Sequence, residues 1–192
     1  FQTKTISVTT RSDAKLKDVQ LTADNDEVST SIANGVYDVN VTSTPAQVTG
    51  ALEYTNNVSP KVITSQDALD ALKLSVGLAT TAGTKTAFDY ISADFNQDGK
   101  VSSQDALAIL KYSVGLTTPE QAQWVFVDTN GDYSGVSKSN TSYTNGAATS
   151  DPLENTSVSL TGILIGDVND SFSDSIQNAP SLTAGNLSHT LL

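Results

Sequence analysis

The stretch "ADFNQDGKVSSQDALAILKYSVG", Ala93 to Gly115, decides the fold, because a near copy, "ITSQDALDALKLSVGL", stands upstream at Ile63 to Leu78. Aligned at an offset of 38 residues, segments 63–78 and 101–116 agree at 11 of 16 positions, so the unit is an internal repeat. Both copies read as helices of about three turns. Leu69, Leu72 and Val76 fall on one helical face and return as Leu107, Leu110 and Val114, with Gly77 and Gly115 placed to end each helix. The copies differ in what comes before the helix: the second opens with oxygen-bearing side chains and a glycine, the first with "NNVSPKV".

The opening of the second copy has the spacing of a loop for a hard cation. Ca2+ takes six to eight oxygens at about 2.3–2.6 Å, and a tight loop supplies them from alternating side chains, one backbone carbonyl and a closing carboxylate. Asp94, Asn96 and Asp98 alternate, Gly99 permits the sharp turn, and Lys100 offers its carbonyl. Ser102 is placed to hold a ligating water, and Asp105, at the twelfth position, closes the site from the first helical turn. The alternative is an Asx-rich turn followed by a helix that Ser102 and Asp105 cap as a capping box.

The first copy keeps Asp67, equivalent to Asp105, and so has a closing half without an opening half. Two opening halves occur elsewhere: Asp128, Asn130 and Asp132 in "DTNGD", and Asp167, Asn169 and Asp170 in "GDVND". One hypothesis is a split calcium site, in which a late segment returns to complete the first repeat and clamps the β and helical parts together. Asp167 and Asn169 are the preferred donors, although "DTNGD" has the better fifth ligand. The competing reading is that Asp67 only caps its helix with Thr64 and that both acidic turns are solvated.

On these residues, "DFNQDGKVSSQDALAILKYSVGL" resembles the calcium-binding half of a type I dockerin, the duplicated module that docks extracellular bacterial proteins onto cohesins. The resemblance covers roughly residues 56–116. It implies an extracellular, calcium-folded, non-catalytic assembly module with ligands at Asp94, Asn96, Asp98 and Asp105. It also implies a helical face with polar anchors such as Ser103, Gln104, Lys111 and Tyr112. Two departures stand out: the linker between the repeats is long, and Val58 and Pro60 occupy the third and fifth ligand positions of the first copy.

Before the repeat, from Phe1 to about residue 55, the texture is that of strands: "KTISVTT", "KDVQLTA", "EVSTSI", "GVYDVNV" and "QVTGALEY" are short and rich in Val, Ile and Thr. Asn34-Gly35 suits a tight hairpin between "STSI" and "VYDVNV". The fold class expected is therefore mainly β with a helical insert: an Ig-like β-sandwich whose first part spans residues 1–55 and a dockerin-like, EF-hand-type helix pair over 56–118. "QWVFV" and "TSVSLTGILIG" supply returning strands over 119–176, with a Ser/Asn/Gly-rich loop from Gly131 to Ser150 between them. Residues 177–192 read as a tail or an exchanged strand. "KDVQLTADNDEVSTSIANGVYDVNV" is similar to the Cna-B-like and carboxypeptidase-regulatory-like sandwiches of surface proteins, some of which carry internal isopeptide bonds; none is predicted here.

Composition narrows the function. A net charge of −11 repels nucleic-acid phosphates and anionic lipid and favours cations or basic partners. Cysteine is absent, which leaves neither disulfides nor thiolate metal sites. No apolar run reaches the roughly 18 residues a membrane span needs. A chain beginning at Phe1 reads as a processed, exported protein, extracellular or on the cell surface. The only histidine, His189, lies in the presumed tail, and with no nucleophilic cysteine or phosphate loop no enzyme is expected. Trp124 reads as a core anchor.

Three function classes follow. The first, and preferred, is a self-associating surface or matrix subunit, a filament protein rigidified by Ca2+, whose segments "FQTKTISV" and "LSHTLL" add to a neighbour's sheet edge. The second is a dockerin-type module bound to a cohesin-like partner. The third is a carbohydrate-binding accessory domain.

Overall fold

The computed structural model of the chain describes residues 2–24, 26–27, 29–41, 46–54, 61–149, 157–173 and 177. It is mainly β, with a five-stranded sheet, a four-stranded sheet and three helices. The N-terminal strands are β1 (Gln2–Thr10), β2 (Gln20–Ala23), β3 (Asp26–Glu27), β4 (Ser29–Ala33), β5 (Val36–Val41) and β6 (Gln47–Ala51). Helices α1 (Ser65–Ser75), α2 (Ala87–Ala93) and α3 (Ser103–Ser113) follow, and then β7 (Trp124–Asp128), β8 (Ala147–Ala148) and β9 (Val158–Leu164).

The late strands complete the early sheets. The larger sheet runs β4-β5-β1-β9-β7, with β9 parallel to β1 and β7 antiparallel to β9. The smaller runs β3-β2-β6-β8, so even the short β8, inside the segment expected as a loop, closes onto β6. β1 lies in the middle of its sheet and pairs along both edges, and its alternation turns Ile6 and Val8 to the core while Thr5 stays at the surface.

Alternation builds the core. Tyr37, Val39 and Val41 of β5 point inward, as do Leu21 of β2 and Val48 of β6. Gly50 of β6 has no Cβ because the ring of Phe126 on β7 would lie 2.8 Å from it, so the sheets meet closely there. The buried Tyr37 hydroxyl is satisfied at both ends: it donates to the Leu16 carbonyl at 2.7 Å and accepts from the Val19 amide at 3.1 Å. The expected hairpin is present, with β4 antiparallel to β5 and Gly35 at φ +71°.

The repeated helices end alike. In α1 the Leu78 amide reaches the Lys73 carbonyl at 2.8 Å and the Gly77 amide reaches Leu74 at 3.0 Å; in α3 Leu116 reaches Lys111 at 2.9 Å and Gly115 reaches Tyr112 at 3.0 Å. This Schellman arrangement needs the left-handed backbone that Gly77 adopts at φ +83° and Gly115 at φ +78°. The repeat linker carries α2, which the sequence reading passed over; Thr86 and Asp89 cap it as a capping box.

One buried cluster runs through both sheets and the helices, from Ile6 and Leu21 to Ile63, Leu74, Ile91 and Ile109. The expected departure at Val58 and Pro60 lies outside the described residues, as does the presumed tail apart from Gln177. Among the described residues no helix is long and apolar enough to cross a membrane.

Candidate metal centres and a candidate docking face

Asp94 is the C-cap of α2 and only 3% exposed. Its Oδ1 accepts the Asp98 amide at 3.1 Å, and its Oδ2 accepts the Gly99 amide at 2.9 Å. The loop can bend this tightly because Gln97 and Gly99 take φ of +58° and +90°. Asp105, fully buried, reaches back from α3: Oδ1 accepts the Asn96 amide at 3.1 Å, and Oδ2 accepts the Ser102 amide at 2.8 Å. The cap and the loop contact therefore coexist, each using one carboxylate oxygen.

The same geometry recurs around Asp67, with the loop supplied from the far end of the chain. Asp67 Oδ2 accepts the Thr64 amide at 2.8 Å, and Oδ1 accepts the Asn169 amide at 3.2 Å. Asp167, 2% exposed, takes the amides four and five positions on, Ser171 at 2.9 Å and Phe172 at 3.0 Å, as Asp94 takes those of Asp98 and Gly99. The residue three positions on is left-handed in both loops: Gln97 at φ +58°, Asp170 at +54°. Asp167 and Asn169 thus stand to Asp67 as Asp94 and Asn96 stand to Asp105.

The turn at 128–132 does not take this place. Asp128 Oδ1 receives the Asn130 amide at 2.9 Å, Asp132 Oδ1 receives the Ser134 amide at 2.9 Å, and Asn130 and Asp132 are exposed. Asp170 also turns away from Asp67, towards Arg11, whose Nε is 3.6 Å from Asp170 Oδ1.

Charge distinguishes the two centres from ordinary capped turns. Asp67, Asp94, Asp105 and Asp167 are all at most 3% exposed. Arg11 pairs with Asp89 and Asp170 and Lys100 with Asp98, and among the described residues none of these four carboxylates has a side-chain cation within 4.0 Å. A buried, uncompensated carboxylate is costly, and at Asp67, Asp94 and Asp167 the cost appears as raised pKa values. Burial pushes Asp67 up, and it pushes Asp94 up with the Asp105 charge adding to it. Asp167 rises to about 7, first through burial and then through the charge of Asp67. Near the second centre, burial raises the Tyr54 hydroxyl as well, helped by Tyr112, Asp167 and Asp67.

A divalent cation at either centre would relieve this cost, and the oxygen donors nearby are of the type a hard ion takes. Asn169 Oδ1 is buried with no hydrogen-bond partner among the described residues. Asn96 is its counterpart, and Asp98 stands at the rim of the first centre with its side chain 35% exposed. Acidic and histidine side chains do not gather in threes around one point among the described residues, so an ion here would draw much of its shell from amide and backbone oxygens, Lys100 and Ser102 included.

Each centre is tied to the β part by residues that the motif did not mark. The Thr141 hydroxyl donates to Asp94 Oδ2 at 2.5 Å, while the Val101 amide reaches the Lys138 carbonyl at 2.7 Å and the Thr141 amide reaches the Gly99 carbonyl at 3.0 Å. The loop of the second centre follows directly from β9, and Arg11 holds it from the end of β1.

The outer surface of the helix pair is apolar. In α1 the buried face is Asp67, Ala68, Asp70, Ala71 and Leu74, which leaves Leu69, Leu72 and Val76 outside at 43–63% exposure. Leu107, Leu110 and Val114 of α3 repeat this at 41–61%, and Leu78 and Leu116 extend both rows. A shallow groove of about 350 Å3 runs between the helices. Ser65, Ala68, Leu69 and Leu72 line one wall, and their repeat equivalents Ser103, Ala106, Leu107 and Leu110 line the other. Of the polar anchors expected on this surface, Ser103, Gln104 and Lys111 are exposed, whereas Tyr112 is half-buried, its ring centroid 5.5 Å from that of Phe95 in a T-shaped contact.

Compared with protein-family models, curated proteins and solved structures, the chain matches none.

Proposed function

We propose that the chain is a non-catalytic, calcium-stabilised docking module of an extracellular assembly, with Ca2+ held by Asp94 and Asp105 and by Asp67 and Asp167, and with the α1–α3 face as its partner-binding surface. The observation that carries the cation reading is the pair of matching, buried aspartate centres with no side-chain cation beside them among the described residues. Extracellular calcium concentrations suit sites of this oxygen-rich kind. The two exposed aliphatic rows support docking, because soluble proteins seldom leave so many large aliphatic side chains together in water without a partner for them.

In finer terms, residues 61–116 are read as a dockerin-like pair whose first loop is replaced by the segment after β9, and the two facing sheets as an Ig-like sandwich of the Cna-B kind. The partner is then a cohesin-like protein. Self-association is the second reading, favoured by the aliphatic lining that repeats on both groove walls, since an apolar patch of this kind can pack against the same patch of a second copy. Strand donation by β1 is less favoured than in the sequence reading, because β1 already pairs on both sides.

Differential scanning of the chain in chelator, in Ca2+ and in Mg2+ tests the cation reading: Ca2+ raises the melting temperature well above the other two conditions. Equal melting in all three overturns it. Light scattering in Ca2+ then separates the docking readings, a monomer supporting a foreign partner and a dimer or ladder supporting self-association.

A further inference from the structure

We infer that Arg11 is the positioning residue of the split centre, holding the Asp167 loop in register with Asp67; this deepens, and rests on, the cation reading above. Arg11 is the only arginine in the chain, and its side chain is 10% exposed. Its Nη2 donates to the carbonyls of Asp167 and Val168, each at 3.0 Å, and its Nη1 to Asp89 Oδ1 at 2.8 Å. The planar fork of a guanidinium can serve two carbonyls and a carboxylate at once, which an ammonium cannot do in one geometry. Its backbone is fixed as well, since the Thr10–Ala14 turn closes on itself through Thr10 N to Ala14 O at 2.8 Å.

The topology explains why a strut stands at this centre. The first centre lies within one segment, where the Asn96 amide meets Asp105 nine residues away. The second joins positions 102 residues apart and depends on tertiary contacts to hold its halves in place. Apart from the Asn169 amide, the loop meets the segment before α1 through the Ser171 hydroxyl on the Val62 carbonyl at 3.1 Å. Arg11 adds a link to both β1 and α2. It also spends its charge on Asp89 and Asp170, so Asp67 and Asp167 remain the pair left for an added ion.

The test is calorimetric Ca2+ titration of Arg11→Met and Arg11→Lys in the full chain, each also made with Asp105→Asn so that only the split centre is read. Mutation of outer-shell partners typically weakens metal binding by about 10–100-fold, and a loss in that range is expected at the split centre for Arg11→Met, with Arg11→Lys intermediate. Affinity at the Asp94 and Asp105 centre stays within about twofold, and amide exchange rises over 166–172 ahead of the rest of the chain. Asp89→Asn, which keeps the guanidinium but weakens its anchor, gives a smaller loss at the same centre and serves if Arg11→Met does not fold. Unchanged binding at the split centre, or an equal fall at both centres, overturns the inference while the cation reading stands. A wild-type chain that binds no Ca2+ through Asp67 removes both together.

Discussion

The backbone amide of Asn169 donates to Asp67 Oδ1 across 102 residues of chain, at 3.2 Å, as that of Asn96 donates to Asp105 Oδ1 across nine, at 3.1 Å. One local motif is thus built twice, once from contiguous chain and once from two segments about a hundred residues apart. The consequence is mechanical: the strand that supplies Asp167 is parallel to β1, so any ion shared with Asp67 fastens the helix pair to the larger sheet.

The ion-free protein loses stability as pH rises. Asp167 in the fold titrates near 7 against an ordinary 3.8, so between these values the folded chain holds the extra proton and folding weakens with each step upward. Asp67 and Asp94 shift the same way. Melting in chelator is therefore expected to be lower at pH 7.5 than at pH 5, with Ca2+ restoring stability at pH 7.5 and doing little at pH 4.5. Chelated protein that melts highest at pH 7.5 contradicts this.

Asp167→Asn separates the cost of the buried charge from its use. The amide carries no charge to desolvate, so this variant in chelator shows a flatter pH slope than wild type, while its gain from Ca2+ shrinks. Thermal melts across the same pH series check both.

Leucines on opposite faces of α1 behave oppositely. Leu74 is fully buried, and Leu74→Ala is expected to cost about 2–5 kcal/mol in urea unfolding. Leu72 is 43% exposed, and Leu72→Ser, like Leu110→Ser on α3, stays within about 0.5 kcal/mol of wild type. The Leu72→Ser and Leu110→Ser pair abolishes partner binding or self-association without changing Ca2+ affinity, as light scattering or surface-based binding would read.

Much of this was legible in the chain, and the omissions have physical causes. The repeat, its Schellman stops and the loop from Asp94 follow from residues that only one backbone suits. The meeting of Asp67 with the loop at 167–169 was legible as one of two pairings, since Asp67 without a loop and Asp167 without a helix each lacked a partner. Periodicity located the row of Leu69, Leu72 and Val76 but not its side, because the inward face sets one leucine, Leu74, among Ala68, Ala71 and two aspartates, too little for a hydrophobic count to mark as core. Helix α2 is one short element within the repeat linker, and β8 has two residues, too few to carry a period. Arg11 and Thr141 have no local signature; each matters only through what the fold brings beside it.

Thr141→Val tests the reach of the 138–141 segment. The hydroxyl on Asp94 Oδ2 orients that carboxylate, and losing an outer partner of this kind weakens binding by about tenfold or more. The loss is confined to the Asp94 and Asp105 centre, which titration in an Asp67→Asn background isolates.

The most direct measurement is the calorimetric stoichiometry of Ca2+ in the wild-type chain and in Asp105→Ala and Asp67→Ala. Two ions in the wild type and one in each variant are the expected result. Binding that disappears with Asp105→Ala but is untouched by Asp67→Ala would reduce Asp67 to a helix cap and contradict the split centre.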